Sequence, residues 1–191
     1  MFRSTLLFIS FLLLHSCNDI GNKKNDLHQI INLNFFQFVD SSAYQSGKLI
    51  QIPFNNENTI IPKRICILVD SIQMPPNRVL SSIKVILQKS SSKEYKELLS
   101  NKYSVKVDTI ELSRIVNTGK FNLQKLSEIK NSECKSIAGK LTFYTPYISN
   151  TLALITYNVS VSAKAGITKV KFFKKIDGLW KQVQEVEIER L

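Results

Sequence analysis

The chain separates into an early helical pattern and a late alternating one. Leu27, Ile30, Ile31, Phe35, Phe38 and Val39 recur at helical spacing behind Asp26, a residue type that caps helix N-termini. They predict a helix from about Leu27 to Val39. Lys48 to Phe54 reads as extended and Asn55 to Asn58 as a loop. Ile60 to Val69 is rich in β-branched residues and predicts a strand. Met74-Pro75-Pro76-Asn77 breaks the chain, and Val79 to Gln88 is apolar without a decisive period. Ser91-Ser92-Lys93-Glu94 has capping-box spacing ahead of a short helix over Ser92 to Ser100. Tyr103, Val105 and Val107 alternate as in a strand. Leu112 to Lys130 is mixed, with Gly119 marking a turn.

The last third carries the clearest pattern. Strands are expected over Lys140 to Tyr144, Thr151 to Ser162, Ile167 to Lys175 and Leu179 to Ile188, with Asp177-Gly178 as a hairpin turn. Helices early and strands late predict an α+β fold, with N-terminal helices packed on one face of a C-terminal antiparallel β-meander. Trp180, the lone tryptophan, is expected to anchor the core. Trp180, Val183, Val186 and Ile188 do not alternate strictly. Either a bulge lies near Lys181-Gln182 or Trp180 faces opposite Val183.

The first residues read differently. Arg3 precedes an apolar run from Leu6 to Leu14, followed by His15-Ser16-Cys17. A basic start, a short apolar stretch and a small boundary residue describe a secretory signal; the run is too short to span a membrane. Leu14-His15-Ser16-Cys17 resembles the bacterial lipobox, which implies acylation of Cys17 and removal of 1–16. Two or three acyl chains hold a domain on a membrane where one does not. The expected organisation is a lipoprotein signal peptide over 1–16, a polar lipidated tether over 17–26 and a single α+β domain over 27–191. The partner implied is a membrane, reached through the lipid anchor, in a bacterial cell envelope.

Charge and residue counts exclude more than they assign. The 191 residues carry a formal net charge of +11, from 26 basic and 15 acidic side chains. The lysines are spread widely and no nucleic-acid motif accompanies them, so a solvated basic surface is expected and a nucleic-acid partner is not. With Cys17 given to lipid, Cys66 and Cys134 remain as a candidate disulfide pair in an oxidising compartment. Cys66 also fits a buried strand as a small hydrophobe.

Only His15 and His28 are present, and no phosphate-binding loop or dinucleotide fingerprint occurs, so no metal or other cofactor is expected. His28 reads as a surface residue of the helix. Asp70 and Asp108 end predicted strands, and Glu185, Glu187 and Glu189 alternate opposite Val186 and Ile188. These are the carboxylates available for acid/base work, with solubilising charge and turn chemistry as the simpler reading. Phe143, Tyr144, Tyr147, Tyr157, Phe172, Phe173 and Trp180 concentrate in the sheet, as core or as the lining of a cleft.

Phe143-Tyr144-Thr145-Pro146-Tyr147-Ile148-Ser149-Asn150-Thr151-Leu152-Ala153-Leu154-Ile155, followed by Phe173-Lys174-Lys175-Ile176-Asp177-Gly178-Leu179-Trp180-Lys181, resembles the C-terminal region of small uncharacterised Bacteroidetes-type lipoproteins. The resemblance covers roughly Gly139 to the end; Thr145 stands where that pattern has Arg. It implies an envelope location and no particular activity. The expected function is therefore that of a membrane-anchored envelope lipoprotein whose domain binds a protein or glycan or serves structurally, without catalysis. A carboxylate-dependent envelope hydrolase and an immunity-type inhibitor of a secreted toxin are the alternatives.

Overall fold

The computed structural model describes residues 21–39, 65–119, 121–131, 137–162 and 165–190. The expectations for 1–20, Lys48 to Phe54 and Asn55 to Asn58, and those placed on Cys17 and Cys134, lie outside these residues. Helix α1 covers 21–33 and is followed, after a break at Asn34, by the short α2 (Phe35–Phe38). Helix α3 (Asn77–Ile86) starts behind Pro76, and a 3₁₀ helix covers Ser90–Leu99. The strands are β1 (Ile65–Val69), β2 (Phe121–Lys125), β3 (Ile137–Phe143), β4 (Tyr147–Ile148), β5 (Leu152–Ser162), β6 (Ala165–Ile176) and β7 (Leu179–Arg190).

These strands form one sheet in the order β2-β1-β3-β5-β6-β7, with β4 paired to β5. The C-terminal strands β5, β6 and β7 are antiparallel. Asp177 (φ 52°) and Gly178 (φ 77°) turn β6 into β7 with the two positive-φ residues that a type I′ hairpin requires. The sheet is not a pure meander, however. β1 runs parallel to both β2 and β3. Parallel neighbours cannot be joined by a hairpin, and the 70–120 connection between β1 and β2 makes the crossover.

That crossover also corrects the layering. Helices cover both faces of the sheet rather than one. On one face, α1 and α2 pack Leu27, Ile31, Phe35 and Phe38 against Ile67, Phe143, Tyr157 and Phe173. On the other, α3 and the 3₁₀ helix pack Val79, Ile83 and Tyr95 against Leu154, Val170 and Phe172. Burial on both faces explains why Ala153 to Tyr157 is buried without alternation. Tyr95 threads this second layer and donates to the Phe173 carbonyl at 3.3 Å; burial, aided by Glu94, pushes its hydroxyl up to about 12.

Several local expectations change for identifiable reasons. α1 starts before Asp26, inside the stretch read as a tether, because its first turns are held from outside. Lys24 pairs with Glu111, and Asp26 accepts from Trp180 Nε1 and Lys175 Nζ, each at 2.9 Å. The capping-box serines do not cap; Ser92 Oγ instead donates to Gln184 across the layer at 3.0 Å. Tyr103 to Val107 forms no strand, since Ser104 makes only an isolated bridge to Tyr147.

β7 carries two irregularities. One skips Val183 in the pairing between Phe172/Gln184 and Phe173/Gln182, a bulge being one of the two arrangements that the spacing behind Trp180 left open. The second lies between Thr168/Glu189 and Lys169/Glu187. It sends Glu189 to the α3 side, where it pairs with Arg78 at 3.0 Å, while Glu185 bonds lysines on the α1 side. The three glutamates therefore do not share a face.

Candidate functional site

The helical cover on the α3 side sits over β5, β6 and β7 and leaves the part of the sheet around β1, β3 and the far ends of β5 and β6 without a helix among the described residues. There a groove of about 460 Å³ is lined by Leu68, Lys140, Asn158, Ser160, Val161 and Ser162. Its size falls in the range of small-ligand sites. Gly166 also borders it, and a Cβ there would stand 3.2 Å from Ser160 Cβ, so the strand pair keeps its close approach through glycine.

A hydrogen-bonded chain braces one wall. Asn158 Nδ2 donates to Thr168 Oγ1 at 3.0 Å, Thr168 donates to Glu189 at 3.2 Å, and Arg78 holds the other Glu189 oxygen. Tyr144 bonds Thr168 as well. Burial is the main reason its hydroxyl is pushed up, with Glu189 adding to it.

Asp70, a candidate from the strand ends, lies beside this groove. It accepts from the Ser71 amide at 2.8 Å, from Gln73 Nε2 at 3.0 Å and from Lys140 Nζ at 3.4 Å. Asp108 is exposed, and its carbonyl accepts from the Ile72 amide at 2.8 Å, which brings both aspartates to one end of the sheet. A smaller cavity of about 250 Å³, lined by Asp70, Ser71, Thr109 and Ile110, opens there at the C-terminal ends of the parallel β1 and β2. Such ends are common ligand positions in parallel sheets. Asp70's donors serve a turn and a cross-strand ion pair, which matches the structural reading of this carboxylate.

The second polar cluster is internal and was not anticipated. Lys171, on the α1 side of β6, has a side chain only 2% exposed. Its ammonium lies 5.7 Å from the Phe38 ring centroid and 5.8 Å from that of Tyr157. It donates to Gln182 at 2.6 Å and to Glu185, which also accepts from Lys169 at 2.9 Å and from the Tyr157 hydroxyl at 3.4 Å. Burial by itself would raise the Glu185 carboxyl; the Lys171 and Lys169 hydrogen bonds outweigh it and hold the group below the usual carboxylate range. Glu187 lies below that range too, chiefly through its hydrogen bond from Arg190.

His28 is a correction. It is buried, not on the surface, with 2% exposure. Nδ1–H donates to the Lys24 carbonyl at 2.8 Å and Nε2 accepts from the Glu111 amide at 3.1 Å, so the neutral ring ties α1 to the crossover. Burial is the main cause that lowers its pKa, opposed by the Lys24 carbonyl. Because the folded pKa lies below the unfolded value of about 6.5, the stability from the neutral ring is complete above that value and is lost as pH falls through the folded pKa. His28→Ala leaves the Glu111 amide without its acceptor and is expected to cost about 1–3 kcal/mol in urea unfolding at pH 7.5. The deficit should narrow below pH 6; a pH-independent deficit would contradict the assignment.

Cys66 is disulfide-bonded and 3% exposed, and its partner lies outside the described residues. No group of three or more His, Cys, Asp or Glu side chains gathers to hold a metal ion among the described residues. No described helix is long and apolar enough to cross a membrane. No known family, curated protein or solved structure matches the chain.

Proposed function

We propose that the chain is an exported lipoprotein, anchored to a bacterial envelope membrane through Cys17, whose domain acts by binding. The observation that carries this reading is the signal layout ending in Leu14-His15-Ser16-Cys17. The disulfide at Cys66 supports it, since such bonds persist in oxidising compartments and are rare in the cytosol. The proposed partner of Cys66 is Cys134. Ile137 is the register partner of Cys66 on β3, and Cys134 lies just upstream of it in the chain. Peptide mapping without reductant is expected to recover the Cys66 and Cys134 peptides linked; recovery of Cys66 linked to Cys17 would overturn both the pairing and the lipidation.

The binding role rests on the groove beside β3. Lys140, Asn158, Ser160 and Ser162 place polar atoms next to apolar Leu68 and Val161, with Lys140 also paired to Asp70 and Asn158 Nδ2 bonded to Thr168. That mixture suits a hydroxyl-rich glycan, whose hydroxyl groups need hydrogen bonds and whose C–H faces need apolar contact. Asp70 and Glu185 are occupied by lysine partners, which favours this reading over a carboxylate hydrolase. Labelled palmitate is expected to enter the wild type and not Cys17→Ala; equal labelling would refute the anchor. Lys140→Ala is expected to weaken capture of solubilised peptidoglycan fragments several-fold, and unchanged capture would refute the groove.

A further inference from the structure

We infer that the β6–β7 hairpin tip and the start of α1 form one membrane-facing surface that docks on an anionic lipid bilayer. The inference rests on the anchoring reading above. Its geometry begins at Asp26, which holds both Trp180 and Lys175 at 2.9 Å and so fixes the early turns of α1 against the base of the hairpin. Gly21 lies five residues earlier, about 7.5 Å along the helix axis. From Gly21 back to Cys17 the chain can extend by at most about 14 Å. An acylated Cys17 would therefore leave no long tether, and Asp26, at the base of the hairpin, would sit within roughly 22 Å of the acylated residue.

The chemistry of that end fits a bilayer. Ile176 and Leu179 are cross-strand partners at the tip, yet they are 38% and 51% exposed. Lys181 is exposed beside them. Lys23, which donates to the Lys102 carbonyl at 3.2 Å, brings two further lysines to the start of α1. Asp177 in the turn is acidic, as are Asp26 and Glu111 at the start of α1, and the last two are paired with Lys175 and Lys24. Apolar residues at a tip flanked by lysines enter the interfacial region of anionic membranes, where the lysines meet headgroup phosphates. The exposed apolar group of the α1 side, Leu33 with Phe36 and Val116, stands at the far end of α1, about 18 Å along the axis from Gly21.

The test uses the protein as the cell makes it, extracted from membranes and reconstituted into phosphatidylcholine vesicles with or without roughly 30% phosphatidylglycerol, which makes the surface strongly anionic. An environment-sensitive thiol dye is placed at Leu179→Cys or, as a comparison, at Val116→Cys. On anionic vesicles the dye at 179 is expected to shift to the blue and be quenched by brominated lipid, while the dye at 116 is not. Lys181→Glu is expected to reduce the quenching at 179 several-fold. Solvent-like emission at 179 on protein that carries palmitate and floats with the vesicles overturns the docking surface and leaves the anchor standing. Blue-shifted emission at 179 on protein without palmitate upholds the surface and overturns the anchor. Equal quenching at 179 and 116 overturns the assignment of this end.

Discussion

Trp180→Ala is expected to lower the unfolding free energy by about 3–5 kcal/mol, much of what a domain of this size has in reserve. The indole is 2% exposed in the layer beneath α1 and α2. Its loss removes packing, opens a cavity and frees the Asp26 carboxylate from its Nε1 donor, leaving it with Lys175. Lys175 Nζ, 5.2 Å from the ring centroid, loses its aromatic neighbour as well. Trp180→Phe keeps most of the apolar area and drops the hydrogen bond, so its expected cost is smaller, about 1–3 kcal/mol. Urea unfolding followed by far-UV dichroism measures both variants. As the single tryptophan, Trp180 should emit to the blue in the native wild type and move to the red on unfolding. A loss below about 1 kcal/mol for the alanine variant would mean that the indole does not carry the packing described.

Removing Glu185 should cost more than removing Lys171. Glu185→Ala leaves the Lys171 ammonium 2% exposed and short of its carboxylate, a situation that costs about 3–5 kcal/mol. Lys171→Met fills the same space with an apolar chain beside Phe38 and Tyr157, and leaves Glu185 at 29% exposure next to Lys169. Replacing a buried charge in this way is often close to neutral, so a change within about 1 kcal/mol is expected. The acid limb of stability follows from the same pair. The Glu185 carboxyl lies below its ordinary range in the folded state, so its contribution is present above the unfolded pKa and is lost as pH falls through the lowered folded value. Glu185→Ala should therefore flatten the loss of stability below about pH 4. Equal costs for the two single variants, or an unchanged acid limb, would contradict the asymmetry.

The C-terminal strands were readable because their information is local. Asp177-Gly178 states a turn type by itself, and β5, β6 and β7 join through short connections. The β1–β2–β3 pairing was not readable in that way. Its partners are far apart in the chain, and Phe121–Lys125 is a short strand with polar Asn122 and Gln124. The start of α1 was misplaced because glycine, asparagine and aspartate give weak helical preference there. Contacts from Glu111 and Trp180 decide the outcome. Lys171 lies between Val170 and Phe172 in an alternation that reads as a solvated stripe, and only the placement of Phe38 over it turns that position inward. The groove was hidden for a related reason: its lining comes from several strands, and no short motif joins Lys140 to Asn158.

The bond between Asp26 and Trp180 closes a separation of 154 residues. Synthesis delivers the helix that carries Asp26 well before the strand that carries Trp180. Until that strand arrives, the apolar side of α1 has no finished floor, and β1 must wait in the same way for β2 and β3. Long-range pairing of this kind slows folding and prolongs the exposure of unpaired strand edges. Chains cut short before the β6–β7 hairpin should then be recognised and degraded rather than stored as a partial domain.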